Sequence, residues 1–300
     1  MVKNKIEFVD ARSSADVNEM LHPVVGEWFF SKFKDFSLTQ LYGVAPIHER
    51  KNILISAPTG GTKTLTAFLG ILNYLVGLAL KNELEDKIYA VYTSPLKALS
   101  NDIFVNLERP LTEISELAVA KGLKMQSIRV GLRTGDTTAS ERAKMVRKVP
   151  HIFVTTPESL AIVLTAPKFS ENLRSLEFVV VDEIHALANK RGVFLSLILE
   201  RLENFSVITP VRIGLSATIA PIEEIARFLV GAGRDCLIAK VELVKDIDIG
   251  LISPGADLLT MDGAEDQKRL YHILDELIQS HKTTLIFTNT RNATERIIHY

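Results

Sequence analysis

The chain has 300 residues, 47% hydrophobic and 24% charged, with 35 Lys and Arg against 36 Asp and Glu. This describes a soluble, globular chain long enough for two domains, and it excludes a whole-chain basic field, so any nucleic-acid site must be a local groove. Cys236 is the only cysteine, which excludes an intrachain disulfide and fits a reducing, cytoplasmic compartment.

The opening segment, MVKNKIEFVDARSS, lacks the apolar core of a signal peptide. Short apolar runs then follow at intervals: NILISAP (52–58), IYAVYTSP (88–95), SIRVGLRTG (127–135), HIFVTTP (151–157), FVVVDE (178–183) and VRIGLSAT (211–218). Continuous apolar character predicts strands covered on both faces, as in a parallel sheet. Helical patterns lie between them. LTAFLGILNYLVGLAL (65–80) is the most apolar stretch, short for a membrane span and interrupted by Asn73, so a helix buried against the sheet is expected. TTASERAKMVRKV opens on small capping hydroxyls, and PIEEIARFLVG runs from Pro221 to Gly231 with helical periodicity. The alternation predicts an α/β fold, a doubly wound parallel sheet, over residues 1–234.

After about Arg234 the pattern changes. CLIAKVELVKDIDIGLISP reads as extended or paired strands, EDQKRLYHILDELIQSH as an amphipathic helix, TTLIFTNT as a buried strand and RNATERIIHY as the start of a helix. Residues 235–300 are therefore expected to be a linker and the truncated beginning of a second α/β domain. So short a piece cannot bury a core of its own.

Three stretches carry chemistry. SAPTGGTKT (56–64) follows a strand and precedes a helix, the place of a phosphate-binding loop. Backbone N–H groups and the helix N-terminus would face phosphates there, Lys63 would reach the β- and γ-phosphates, and the Thr64 hydroxyl would bind Mg²⁺. The strict pattern G-x-x-x-x-G-K-[ST] fails at Ala57 and Thr62, so taken alone a plain strand-to-helix turn explains the stretch equally well. VVVDEIHAL places Asp182 and Glu183 at the end of a buried strand. In a nucleotide hydrolase the first carboxylate holds Mg²⁺, usually through water, and the second orients and deprotonates the attacking water. GLSATI puts Ser216 and Thr218 at another strand end, where small hydroxyls could couple loss of the γ-phosphate to movement.

In this order APTGGTKT, SPLKAL, RTGDT, TTPESL, DEIH, LSAT and LIFTNTR resemble motifs I, Ia, Ib, Ic, II, III and IV of the superfamily 2 helicases. LHPVVGEWFF and GLSATIAPIEEIARFLVG narrow the resemblance to the large helicase-related (Lhr-type) group, with Ski-like helicases next. The resemblance implies two RecA-like P-loop domains, the first complete and the second truncated, with ATP and Mg²⁺ as cofactors. It implies that Gln40 reads adenine, the alternative being a loop glutamine facing solvent. Thr59, Gly60, Gly61, Thr62, Lys63 and Thr64 map onto the phosphate loop, and Asp182 and Glu183 onto the metal and water positions. His185 maps onto a coupling residue.

In a doubly wound sheet the loops at the carboxyl ends of the strands share one edge. Ser94, Pro95, Lys97, Arg133, Thr134, Gly135, Thr155, Thr156 and Pro157 lie in such loops and would contact a nucleic-acid backbone through hydroxyls, N–H groups and charge. Such contacts position a strand without reading its bases, so binding should tolerate sequence and weaken with salt. The function expected is an ATP-dependent helicase or translocase. The resemblance implies DNA and 3′-to-5′ polarity. The rivals are an RNA helicase, a nucleotide-binding module with impaired hydrolysis because of GGTKT, and a different phosphate-loop ATPase. Relatives often carry Gly before the lysine, where the backbone is cheap only for glycine, so β-branched Thr62 should strain the loop.

Overall fold

The computed structural model describes residues 4–58, 62–94, 97–187, 190–242, 248–253 and 263–299. In chain order these form β1 (Ile6–Phe8), α1 (Ser14–Met20), α2 (Pro23–Lys32), α3 (Leu38–His48), β2 (Ile53–Ser56), α4 (Lys63–Lys81), β3 (Ala90–Thr93), α5 (Lys97–Ala120), β4 (Val130–Arg133), α6 (Ala139–Arg147), β5 (Ile152–Thr155), α7 (Pro157–Leu164), α8 (Pro167–Ser170), β6 (Phe178–Val181), α9 (Lys190–Phe205), β7 (Val211–Ser216), α10 (Ile222–Val230), β8 (Cys236–Lys240), α11 (Gly263–Ser280) and α12 (Arg291–His299). The helix starts follow local chemistry. Ser13, Ser37 and Thr138 each close a capping box with the residue three positions on, and α2 and α7 begin with proline, whose missing N–H costs nothing there.

The eight strands form one sheet in the order β1-β8-β2-β7-β6-β3-β5-β4, with every pairing parallel. All six runs expected as strands are strands. Alternate residues of each strand feed the two faces: Leu54, Val91, Phe153 and Val179 pack with α7, α9 and α10, while Ile53, Ile55, Tyr92, Ile152 and Val180 pack with α4 and α5. This two-sided burial explains why the strands read as unbroken apolar runs.

Helix α4 has 19 residues and is long and apolar enough to span a membrane by length and composition, which the sequence reading had placed short of that limit. Two thirds of it is buried, against α3 on one side and the sheet on the other. Gly70 makes this close approach possible, because a Cβ there would stand 2.6 Å from Ile47 Cγ2.

The structure corrects two expectations. Residues 236–240 were assigned with the second domain. They are β8, inserted between β1 and β2 of the first sheet, and the first compact unit runs Met1–Leu243. A strand is held by ladder hydrogen bonds on both sides, and β1, too short to be noticed in the sequence, supplies one of them. TTLIFTNT is not a strand. It pairs with no other described segment, and Leu285 and Phe287 are 76% and 86% exposed. The second unit, Val244–Tyr300, contributes α11 and α12 as expected.

One charged cluster lies inside the first unit. Arg212 on β7 is only 2% exposed; its Nη1 donates to Glu200 Oε1 and Leu229 O, both at 3.1 Å, and its Nη2 to Glu203 Oε2 at 2.6 Å. Arg234 donates to the same two carboxylates from the segment before β8. Strand β7, α9, α10 and the approach to β8 are thus tied by one set of paired charges. Burial pushes the Cys236 thiol up to about 12, leaving it an inert packing group.

Candidate nucleotide and nucleic-acid site

The strand order divides the carboxyl edge of the sheet into two halves. Strands β2, β7 and β6 are neighbours, so the loops after Ser56, Ser216 and Val181 lie side by side. Strands β3, β5 and β4 are neighbours in turn, grouping Ser94, Thr156 and Thr134. Strand β3 borders β6, so the halves meet between those two strands.

In the first half a cavity of about 620 Å³ is lined by Thr62, Lys63, Thr64, Asp182 and Glu183, with Trp28 and Phe33 of the α2 region also in its wall. Thr59, Gly60 and Gly61 lie outside the described residues. Thr62 precedes α4 with φ 53° and ψ 16°, the left-handed conformation that the sequence reading required there. Its Oγ1 is 2.6 Å from Ser37 Oγ, which itself caps α3, so the SLTQ segment and the phosphate loop are hydrogen-bonded to each other. Lys63 is nearly buried and its Nζ donates to the carbonyls of Ala57 (2.9 Å) and Pro58 (3.0 Å). Burial pulls its pKa below the usual lysine value, and the charges of Glu183 and Asp182 oppose that. Gln40 is 2% exposed and its Oε1 accepts the Ser37 N–H at 2.8 Å, which overturns the solvent-facing alternative and shows a capping glutamine.

Asp182 is buried, and burial raises its carboxyl above the usual aspartate range. Its Oδ1 accepts the Glu183 N–H at 2.7 Å and its Oδ2 accepts the Tyr92 hydroxyl. Glu183 takes φ 50°, a conformation L-residues occupy at a cost of roughly 1–2 kcal/mol. Of four non-glycine residues with positive φ among the described residues, Thr62 and Glu183 are both here, as expected where strain serves a site.

His185 joins two loops. Its Nδ1 accepts the backbone N–H of Ala217 at 3.1 Å, and its Nε2 lies 3.0 Å from Glu183 Oε2. A backbone N–H can only donate, so Nδ1 is the acceptor and Nε2 carries the proton offered to Glu183. The carbonyl of Ala217 accepts Ser216 Oγ (2.8 Å) and Ser56 Oγ (3.3 Å), so DEIH, LSAT and the end of β2 share one hydrogen-bonded node. Thr218 is exposed and stands apart from it.

The donor set suits Mg²⁺ bound with phosphate. Among the described residues no group of three His, Cys, Asp or Glu side chains could hold a metal. The Thr64 hydroxyl and the Asp182 carboxylate line the same cavity, alongside Thr62, Glu183 and Glu113. Mg²⁺ commonly takes one or two carboxylates and fills its octahedron with water and phosphate oxygens.

The second half differs in detail from the sequence expectation. Pro95 and the side chain of Lys97 lie outside what is described. Thr155 Oγ1 is buried and donates to Arg133 O at 2.8 Å, while Thr156 Oγ1 caps α7 ahead of Pro157. Both hydroxyls are therefore used by the fold. Thr134 Oγ1 accepts the Asp136 N–H at 3.3 Å, and Gly135 is exposed. Ser94 Oγ and Thr93 Oγ1, by contrast, are buried with no protein partner. Sequence patterns missed Arg142 of α6. It reaches Gly135 O at 3.4 Å, its Nε is buried without a partner, and its charge, after burial, lowers the pKa of Arg133. Arg133 and Arg142 thus bring two guanidinium groups to this corner of a chain with net charge −1. Arg142 comes nine positions after Arg133 on the next helix, a distance no motif records.

The DEAD/DEAH box helicase family matches residues 37–227. The chain is 54% identical over 288 residues to the ATP-dependent helicase Lhr-Core of Methanocaldococcus jannaschii, covering 96% of this chain and 34% of that protein. It is 35% identical to the Lhr helicase/uracil glycosylase of Escherichia coli, covering 93% of this chain and 19% of that one. A solved structure of the Mycobacterium smegmatis helicase Lhr bound to ssDNA and AMP-PNP superposes with a TM-score of 0.80 at 36% identity, covering 94% of this chain and 35% of that chain. This chain therefore spans about a third or less of the length of these relatives.

Proposed function

The chain belongs to the DEAD/DEAH box helicase family, and from that premise we propose that it is the ATP-binding part of a helicase or translocase that couples ATP hydrolysis to movement on a nucleic-acid strand. The carrying observation is the convergence of Lys63, Thr64, Asp182 and Glu183 on one cavity, with His185 tying Glu183 to the loop after β7. In the proposed roles, Lys63 exchanges the Ala57 and Pro58 carbonyls for phosphate oxygens, and Thr64 and Asp182 hold Mg²⁺. When bound, Mg²⁺–ATP supplies the phosphoryl group and the charge that neutralises its departure. Glu183 takes the proton of the attacking water. The node at Ala217 carries the change in Glu183 to β7 and Ser216.

The second half of the edge fits a phosphate backbone. Ser94 Oγ, which has no protein partner, and the guanidinium groups of Arg133 and Arg142 are the groups we assign to it, together with backbone N–H groups of the Thr134–Gly135 turn. We favour DNA because a relative 36% identical to this chain was solved with ssDNA. We read Val244–Tyr300 as the opening of a second RecA-like domain. In the full-length protein, ATP turnover should rise on adding single-stranded DNA, and DNA affinity should fall steeply with salt. Turnover indifferent to both DNA and RNA defeats the proposal, and stimulation by RNA alone transfers it to an RNA helicase.

Thr62 sets how well the phosphate loop works. Holding a non-glycine residue in the left-handed region costs roughly 1–2 kcal/mol, and about 1.4 kcal/mol is a tenfold change in affinity. The double change Gly61→Thr with Thr62→Gly is expected to raise ATP affinity about tenfold by calorimetry. Unchanged affinity would show that the hydrogen bond to Ser37 offsets the strain.

A further inference from the structure

Tyr92 sits on β3, the strand where the two halves of the edge meet, in register with Val180 of β6. In the sequence it is one apolar letter of a buried strand. Its ring is fully buried and stacks on Phe68 of α4, with centroids 5.3 Å apart and 23° between planes. A phenylalanine would fill that space equally well. A buried hydroxyl is costly unless it is hydrogen-bonded, so the phenol needs its partners. The one the structure shows is Asp182 Oδ2.

The direction of this bond follows from the donor inventory. An ionised carboxylate only accepts, so Tyr92 gives its single proton to Asp182. The other oxygen of Asp182 is held by the Glu183 N–H.

We propose that Tyr92 is a positioning residue for the metal site: its hydroxyl holds Asp182 Oδ2 and so fixes the orientation of the carboxylate offered to Mg²⁺. This rests on the reading of the cavity as a Mg²⁺–nucleotide site. Tyr92 is a positioning residue only: it acts through Asp182, which would meet the metal.

The test is Tyr92→Phe in the full-length protein. Binding of a non-hydrolysable ATP analogue is followed by calorimetry across a Mg²⁺ titration and again in EDTA. The Mg²⁺ concentration for half-maximal effect is expected to rise about tenfold, the scale of losing one hydrogen bond to a charged group. Affinity for the analogue in EDTA should stay unchanged, a property that a misfolded variant would lose. An unchanged Mg²⁺ dependence would reduce Tyr92 to a packing residue and overturn the proposal. Failure of the unsubstituted protein to bind the analogue at any Mg²⁺ concentration would instead overturn the nucleotide-site reading, and the proposal with it.

Discussion

Glu183→Gln in the full-length protein is expected to lower ATP turnover by about 10²- to 10⁴-fold, the range supplied by a positioned general base. The amide cannot take a proton from water, yet it keeps the size of the carboxylate. ATP affinity should be spared, because Lys63, Thr64 and Asp182 remain in the cavity wall. The hydrogen bond to His185 Nε2 also survives, since the amide oxygen still accepts. Steady-state turnover together with calorimetric binding checks both halves of the expectation. A variant with near-parental turnover would remove Glu183 from the role of base and leave the DEIH segment a strand end tied to β7.

Arg212→Ala is expected to cost the first compact unit about 3–5 kcal/mol, the range for breaking a buried ion pair by removing one partner. The substitution strips Leu229 O of its donor and leaves a cavity behind β7. Arg234 still pairs with Glu200 and Glu203, which places the loss toward the lower end. For a unit of this size the melting temperature should fall by roughly 6–20 °C. Arg212→Met, which removes the charge but keeps most of the volume, should cost less. Thermal unfolding of both variants checks the prediction, and equal melting points for Arg212→Ala and the parent would refute it. Because β7 ends at Ser216 and leads into Ala217, the same variant tests whether a loosened β7 slows turnover at temperatures where the protein remains folded.

Much of this was legible in the chain of letters. Six strands, the helices between them and the placing of the Lys63, Asp182 and Ser216 loops at strand ends follow from apolar runs and turn residues, which are local properties. The demand on Thr62 was also local, since one residue's steric map decides it, and the left-handed φ of 53° is the outcome. Tertiary structure decided what depends on partners distant in sequence. Strand order is one such matter: nothing near residues 236–240 announces that they pair with Ile6–Phe8 and Ile53–Ser56. Hydrogen-bond competition is another. Thr155 and Thr156 read as groups free for ligands, but burial requires each to find a partner, and the fold supplied one. Tyr92 and Arg142 gained meaning only in three dimensions. The first is 90 residues from Asp182 yet bonded to it, and the second has a buried Nε with no partner. Sequence periodicity reports which face of an element meets the core, because apolar burial is summed along the chain. It does not report which polar atom remains unpaired at the end of a strand, because that is settled by whichever other strand arrives beside it.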